Sequence, residues 1–122
     1  MAGFGFQNLN VYQDSKALVL DCYRLTKHFP DGERYALVQQ MNRAAISIPS
    51  NIVEGYSRAS AKEKSHFLNI AYGSLMELVC QFEIACALGY VSGEDCDTFM
   101  DKAYDLAVRI SNFRAHVEGG RL

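Results

Sequence analysis

Between Phe99 and Val117 the apolar residues keep one strict beat. Phe99, Ala103, Leu106, Ile110, Phe113 and Val117 are separated by 4, 3, 4, 3 and 4 residues. That spacing holds all six on a single stripe of an α-helix and matches the seam of helices packed near 20° in a bundle. A strand cannot use it, because successive strand residues point to opposite faces. Three other stripes follow the same logic. Leu18, Cys22, Leu25 and Phe29 form the first, Leu37, Met41, Ala44, Ile48 and Ile52 the second, and Phe67, Ala71, Ser74, Leu78, Phe82 and Ala85 the third. Only two prolines, Pro30 and Pro49, interrupt the chain, and so few breakers favour long helices over many short strands.

Local signals set the expected boundaries. Asn10-Val11-Tyr12-Gln13 places a capping residue three before a glutamine, so the first helix is expected to begin after Asn10. Pro30-Asp31-Gly32 ends that helix, and Asp31 is expected to cap the second. Pro49 falls inside the second stripe. It removes one backbone donor and its ring crowds the carbonyl of Ala45, which predicts a helix kinked at Pro49 because the apolar spacing continues past it. Ser47, Ser50 and Asn51 are placed to satisfy the disturbed backbone. A turn is expected over Gly55 to Ser60, and Ser60-Ala61-Lys62-Glu63 has the capping-box pattern that starts the third helix. Gly73 in mid-helix costs about 1 kcal/mol relative to alanine, so another backbone is expected to approach it closely. Gly89 suits a helix stop, and Ser92-Gly93-Glu94-Asp95 the start of the fourth helix. The expected fold is therefore all-α: an antiparallel up-down-up-down four-helix bundle, one domain over residues 1–122 with its ordered core at about 6–117 and a frayed tail from Gly119 to Leu122.

Chemistry is harder to find. A di-iron bundle needs two Glu-x-x-His motifs, and only Glu63-Lys64-Ser65-His66 fits. There is no glycine-rich phosphate loop, no G-x-S-x-G elbow and no H-E-x-x-H. No catalytic, cofactor-binding or metal-binding residue is assigned, and the protein is not expected to be an enzyme. Cys22, Cys80, Cys86 and Cys96 lack metal-ligand spacing and are read as small apolar residues in a reducing compartment. Met1 is followed by Ala2-Gly3-Phe4-Gly5-Phe6, with neither the basic nor the apolar part of a secretory signal, so a cytoplasmic location is expected. The uncharged run around Leu78 to Gln81, bounded by Glu77 and Glu83, is read as too short to cross a membrane.

The formal net charge is −2, unevenly spread. From Arg34 to His66 five basic residues, Arg34, Arg43, Arg58, Lys62 and Lys64, face only Glu54 and Glu63; from Glu94 to Asp105 five acids face only Lys102. Charge runs are first of all solvated faces. The basic run is nevertheless the candidate nucleic-acid contact, and the acidic one a candidate protein contact. Polar residues also interrupt the apolar stretches: Arg43, Ser47, Asn51 and Glu54 in the second helix, Glu77 in the third. Reflection about a turn near Arg58 puts Arg43 one helical turn from Glu77, which predicts a buried Arg43–Glu77 ion pair in preference to a ligand or RNA contact.

The stretch from Gln39 to Gly55, with Asn42-Arg43-Ala44-Ala45-Ile46-Ser47-Ile48-Pro49-Ser50-Asn51-Ile52-Val53-Glu54-Gly55 at its centre, resembles the signature of a bacterial family. This is the four-helix-bundle family encoded in intervening sequences of 23S rRNA genes. Asn8-Leu9-x-Val11-Tyr12, Phe29-Pro30-x-x-Glu33, Ala71-Tyr72-Gly73-Ser74-Leu75-x-Glu77-Leu78 and Leu88-Gly89-Tyr90 fit it too. The resemblance spans about Phe6 to Val117 and marks Arg43, Ser47, Pro49, Asn51, Glu54, Gly55, Gly73 and Glu77 as structural motif residues. It implies a ring-like homo-oligomer, commonly a homopentamer, with no known catalysis. A related branch, the accessory protein of diversity-generating retroelements, resembles a basic pentamer that binds nucleic acid; the acidic balance here departs from it.

The residues themselves also point to self-association. Met100, Tyr104 and Ala107 lie off the fourth stripe, and Ile70, Leu75 and Val79 off the third. A bundle core uses about a third of each helix surface, so further apolar rows need another partner. The expected function is that of a non-catalytic oligomeric binding or scaffold protein without a cofactor. Its expected partners are copies of itself, with RNA or DNA as a candidate. The alternative is a protein–protein adaptor, and the weakest reading is an unrecognised enzyme or metal protein.

Overall fold

A computed structural model describes residues 2–120 of the chain. Among them are four α-helices, α1 (Asn10–Thr26), α2 (Leu37–Ser57), α3 (Ala61–Ala87) and α4 (Gly93–Glu118), with short 3-10 turns at Gly5–Asn8 and Asp31–Glu33 and no strand. Arg121 and Leu122, the end of the tail expected to fray, lie outside the described residues.

Side-chain pairings fix the direction of each neighbour. Lys102 reaches Asp21 at 2.9 Å while Arg109 reaches Asp14 at 3.1 Å, so α4 ascends where α1 descends. Arg43 meets Glu77 and Ser47 meets Ser74, which sets α2 against α3 in the same opposed sense. Arg114 bonds Asn69 at 2.7 Å at one end of the α3–α4 pair, and the Phe82 and Phe99 rings stack with centroids 3.9 Å apart towards the other. With α1 also packed on α2, the helices close a square in chain order. The core between them holds Leu18, Cys22, Met41, Ile48, Ile52, Leu68, Leu75, Leu78, Phe82, Phe99, Leu106 and Ile110.

Helix α2 runs unbroken through Pro49. The Asn51 side-chain amide donates to the Ser47 carbonyl at 2.8 Å and to Ser47 Oγ at 3.0 Å, and Ser47 Oγ shares a hydrogen bond of 2.8 Å with Ser74. The extra donor therefore serves Ser47 rather than the Ala45 carbonyl expected to need it. Three boundaries also differ from expectation. Asn10 is the first residue of α1, with Leu9 before it making no side-chain cap, because Asn10 already has helical backbone. Asp31 opens a 3-10 turn instead of capping α2, which begins at Leu37. Helix α2 continues to Ser57, so the expected turn from Gly55 shrinks to the residues after it. Ser60 and Ser92 do cap α3 and α4, each accepting a backbone N–H at 3.1 Å. Gly89 takes φ +80°, and the Tyr90 N–H returns to the Ala85 carbonyl, the left-handed stop that only glycine adopts without strain.

Three further expectations are corrected. The cysteines are not all unpaired: Cys86 in the last turn of α3 and Cys96 in the first turn of α4 form a disulfide, leaving Cys22 buried and Cys80 exposed. Short connection and antiparallel packing bring those two positions together, which linear spacing alone did not reveal. Leu75 belongs to the core rather than to an outer row, since the buried line on α3 is Leu68, Ala71, Leu75, Leu78, Phe82 and Ala85, with Phe67 and Ser74 at its edge. Finally, α3 is long and apolar enough by composition to cross a membrane, with a window of mean hydropathy 1.3. One third of that window is buried within the chain, where α3 contacts both α2 and α4.

Candidate interaction surfaces

The expected ion pair forms, but in water. Arg43 Nη2 donates to Glu77 Oε2 at 2.6 Å, and the two side chains are 64% and 41% exposed. The predicted burial fails because Arg43 lies on the outer edge of α2, beside exposed Ile46, while Met41, Ala44 and Ala45 turn inward. Glu77 also accepts from Gln81 Nε2 at 3.2 Å.

The five basic candidates do not converge. Arg58, Lys62 and Lys64 stand around the α2–α3 turn, whereas Arg34 and Arg43 lie towards the start of α2 and line a different hollow. Arg58 pairs with Glu54 at 3.1 Å and lies 4.9 Å over the Phe67 ring. Lys64 donates to the Tyr56 carbonyl at 2.8 Å and sits 5.7 Å from the Tyr56 ring. Both cations thus serve to close the turn. At the turn itself Gly55 has work to do, because a Cβ there would stand 3.1 Å from the Lys64 carbonyl and 3.1 Å from Phe67 Cβ. Gly73 does not: a Cβ would meet nothing within 4 Å, so no backbone approaches it and that expectation is overturned. It faces solvent, on the side of α3 turned away from the core.

Nothing in the described residues gathers three histidine, cysteine or acidic side chains into a metal-holding group. The buried thiol of Cys22 is pushed up to about 12 by desolvation and by the nearby Asp21 carboxylate. It donates to Asn42 Oδ1 at 3.4 Å and stays protonated, the opposite of an activated nucleophile. Tyr90 donates to Glu33 at 2.8 Å, and that bond raises its phenol above the ordinary value.

The sites with an evident unmet need are apolar. A groove of about 570 Å³ runs between α3 and α4, lined by Tyr72, Met76, Val79, Met100, Tyr104 and Val108 among others. Tyr104 is 71% exposed, and Met76 and Val108 are also open to solvent. Of the rows expected to lie off the seams, Met100, Tyr104 and Val79 do line this groove, together with the rim of nearly buried Ala107. Sequence reading missed Met76 and Val108, which lie one helical turn from Tyr72 and Tyr104. A second hollow lies on the α1–α2 side, lined by Tyr23, Arg34, Tyr35, Val38, Arg43 and Ile46 among others.

Residues 7–112 match the family model described as 23S rRNA-intervening sequence protein. The chain belongs to that family. No curated protein sequence matches it. Among solved structures it is similar to a protein of unknown function from the S23 ribosomal protein family of Bacteroides thetaiotaomicron. The two share 19% identity and superpose with a TM-score of 0.79 over 85% of this chain and 97% of that one. At that identity the likeness speaks for the four-helix fold alone.

Proposed function

We propose that this family member is a non-catalytic, self-assembling scaffold whose copies associate through the α3–α4 groove. The groove carries the reading: Met76, Val79, Met100, Tyr104 and Val108 lie side by side on one face of the chain. A contiguous apolar strip of this kind costs solubility in a monomer and is common at subunit contacts. Tyrosine and methionine suit such a contact, the first by offering area with little entropy to lose and the second by adapting its shape. Five copies in a ring is the stoichiometry that the family resemblance implies, whereas the groove argues only for association. Mass-resolved light scattering at micromolar concentration tests the reading. A multiple of 13.6 kDa is expected, and a particle of that mass itself would refute it.

A second reading, contact with RNA or DNA, is favoured by two exposed cations, Lys62 and Arg34, the latter 5.6 Å from the ring of exposed Tyr35. Arg43, Arg58 and Lys64 already hold partners within the chain, and fewer free cations release fewer counterions from a phosphate backbone. Salt-dependent retention on immobilised heparin or single-stranded RNA is the corresponding test, and flow-through at 50 mM salt would exclude it.

A further inference from the structure

Where α1 passes into α2, a cleft of about 330 Å³ opens beside the hollow that Ile46 lines. That volume is within the range of pockets that hold small molecules. Buried Thr26 and half-buried Asn42 form its floor, while Lys27, Asp31 and Arg34 stand exposed at its mouth. Tyr23 and Val38 supply side walls. The connection that shapes the cleft is braced. Phe29 is buried with its ring 5.3 Å from that of Tyr90, whose hydroxyl donates to Glu33 at 2.8 Å. The Arg34 N–H returns to the Asp31 carbonyl at 3.2 Å. A cleft held in this way has little freedom left to lose when a ligand enters.

Its polar groups are donors with nothing to donate to. Cys22 Sγ donates to Asn42 Oδ1 at 3.4 Å, and Thr26 Oγ1, which also reaches the Tyr23 carbonyl, approaches the same oxygen at 3.4 Å. The Asn42 oxygen is thus committed to α1. Its two amide hydrogens have no acceptor among the described residues and are left for the cleft. Neither Lys27 nor Arg34 belongs to an ion pair among the described residues. Arg43 is committed to Glu77 and lies outside this cleft. Asp31 is the single acid that lines it, so the free cations outnumber the acids.

We propose that this cleft binds a small phosphate monoester carried on a flat ring. Asn42 donates to the phosphate from the floor, and Lys27 and Arg34 neutralise it from the mouth. Tyr23 and Val38 flank the ring. Asp31 accepts from a hydroxyl or amino group elsewhere on the ligand. The choice of phosphate follows from the donors. A monoester carries about −1.5 to −2 charge at pH 7 and three acceptor oxygens, which suits two free cations and an amide better than a carboxylate does. A phosphodiester inside RNA offers less charge and fewer free oxygens. The site stands whether or not copies of the chain associate, and so goes beyond the scaffold reading.

Phenyl phosphate is the probe, followed by saturation-transfer NMR on the full chain, with benzoate as the carboxylate comparison. A saturable signal with Kd below about 1 mM is expected, and weaker binding of benzoate. Asn42→Asp keeps the oxygen that Cys22 and Thr26 use but replaces the N–H pair with a second, negative oxygen. It is expected to weaken binding about tenfold or more. Arg34→Gln and Lys27→Gln, exposed changes that leave the core intact, should each weaken it about fivefold. Lys62→Gln, at the other end of α2, should change nothing. Circular dichroism confirms that each variant folds, and the two surface changes carry the test if Asn42→Asp does not. No saturable signal up to about 10 mM would overturn the proposal. So would benzoate binding as tightly as phenyl phosphate, or losses as large from Lys62→Gln, which would mean an adventitious ion only. A single-stranded RNA that displaces the probe at far lower concentration would assign the cleft to nucleic acid and overturn it too. Light scattering on the same samples separates the two readings: a monomeric wild type that binds phenyl phosphate would refute the scaffold and support this site.

Discussion

The guanidinium of Arg43 lies 2.6 Å from the carboxylate of Glu77, and the pair stands in solvent rather than in the core. Short distance and small energy are compatible here. Water screens the attraction, and holding two long side chains in one geometry costs entropy, so exposed pairs contribute about 0–1 kcal/mol. Glu77→Gln is therefore expected to lower stability by less than about 1 kcal/mol in urea unfolding at one fixed protein concentration. A loss above about 3 kcal/mol, the range for breaking a buried pair, would show the pair to be desolvated.

The Cys86–Cys96 disulfide closes a short loop at the α3–α4 end, with a sequence separation of 10. Loop-closure entropy for such a span gives about 2–3 kcal/mol of stabilisation. Reduction with dithiothreitol, or the Cys86→Ala change, is expected to lower Tm by roughly 8–12 °C for a domain of this size. Mass spectrometry after alkylation in denaturant without reductant supplies the independent check: two of the four cysteines should be unreactive and Cys22 and Cys80 labelled. Four labelled thiols would refute the bond.

How much of this was readable beforehand depended on range. Of the six-residue seam, Phe99, Ala103, Leu106, Ile110 and Val117 are buried and Phe113 is half-buried near the helix end, because one stripe of one helix is a local property. The capping roles of Ser60 and Ser92 were equally local. Arg43 and Glu77 were paired correctly by reflecting two helices about a turn, yet their burial depended on the rotation of each helix about its own axis, which reflection leaves free. Leu75 was misplaced for the same reason: Phe67 and Ser74 fit the spacing as well as Leu68 and Leu75 do, and only packing against α2 and α4 decides between them. The groove was half legible. Met100, Tyr104 and Val79 stand out in the sequence as surplus apolar residues, whereas Met76 and Val108 need the facing helix to show that they line the same groove.

Alkaline pH should weaken the fold through Cys22. Its folded value is about 12 against an ordinary 9, since burial disfavours the thiolate. An acid whose value is raised on folding adds stability in full below its unfolded value, and that contribution is lost as pH climbs through the window between the two. Stability is expected to decline from about pH 9 upward, and Cys22→Ala to decline less steeply over the same range, although its stability at pH 7 will be lower because a buried side chain is truncated. Parallel pH profiles for the two proteins would show that Cys22 carries none of the slope.

Two glycines in helices should respond to alanine with opposite signs. Gly73 has open space where a Cβ would go. With no clash to offset the gain, Gly73→Ala relieves the helix of its most flexible residue and should stabilise by about 0.5–1 kcal/mol. Gly55 would gain the same backbone term, but its new Cβ would stand 3.1 Å from the Lys64 carbonyl, an atom fixed in the first turns of α3. The Phe67 Cβ at 3.1 Å is equally tied to backbone, so neither neighbour can retreat by rotating a side chain. Overpacking of that kind costs about 1–3 kcal/mol and should exceed the propensity gain. Gly55→Ala is therefore expected to lower the urea midpoint and Gly73→Ala to raise it, with unchanged slopes. Stabilisation by both would mean that α2 and α3 can part at the turn without cost. Destabilisation by both would mean that Gly73 has a neighbour in the assembled protein, placing a subunit contact on the solvent side of α3 beyond the groove.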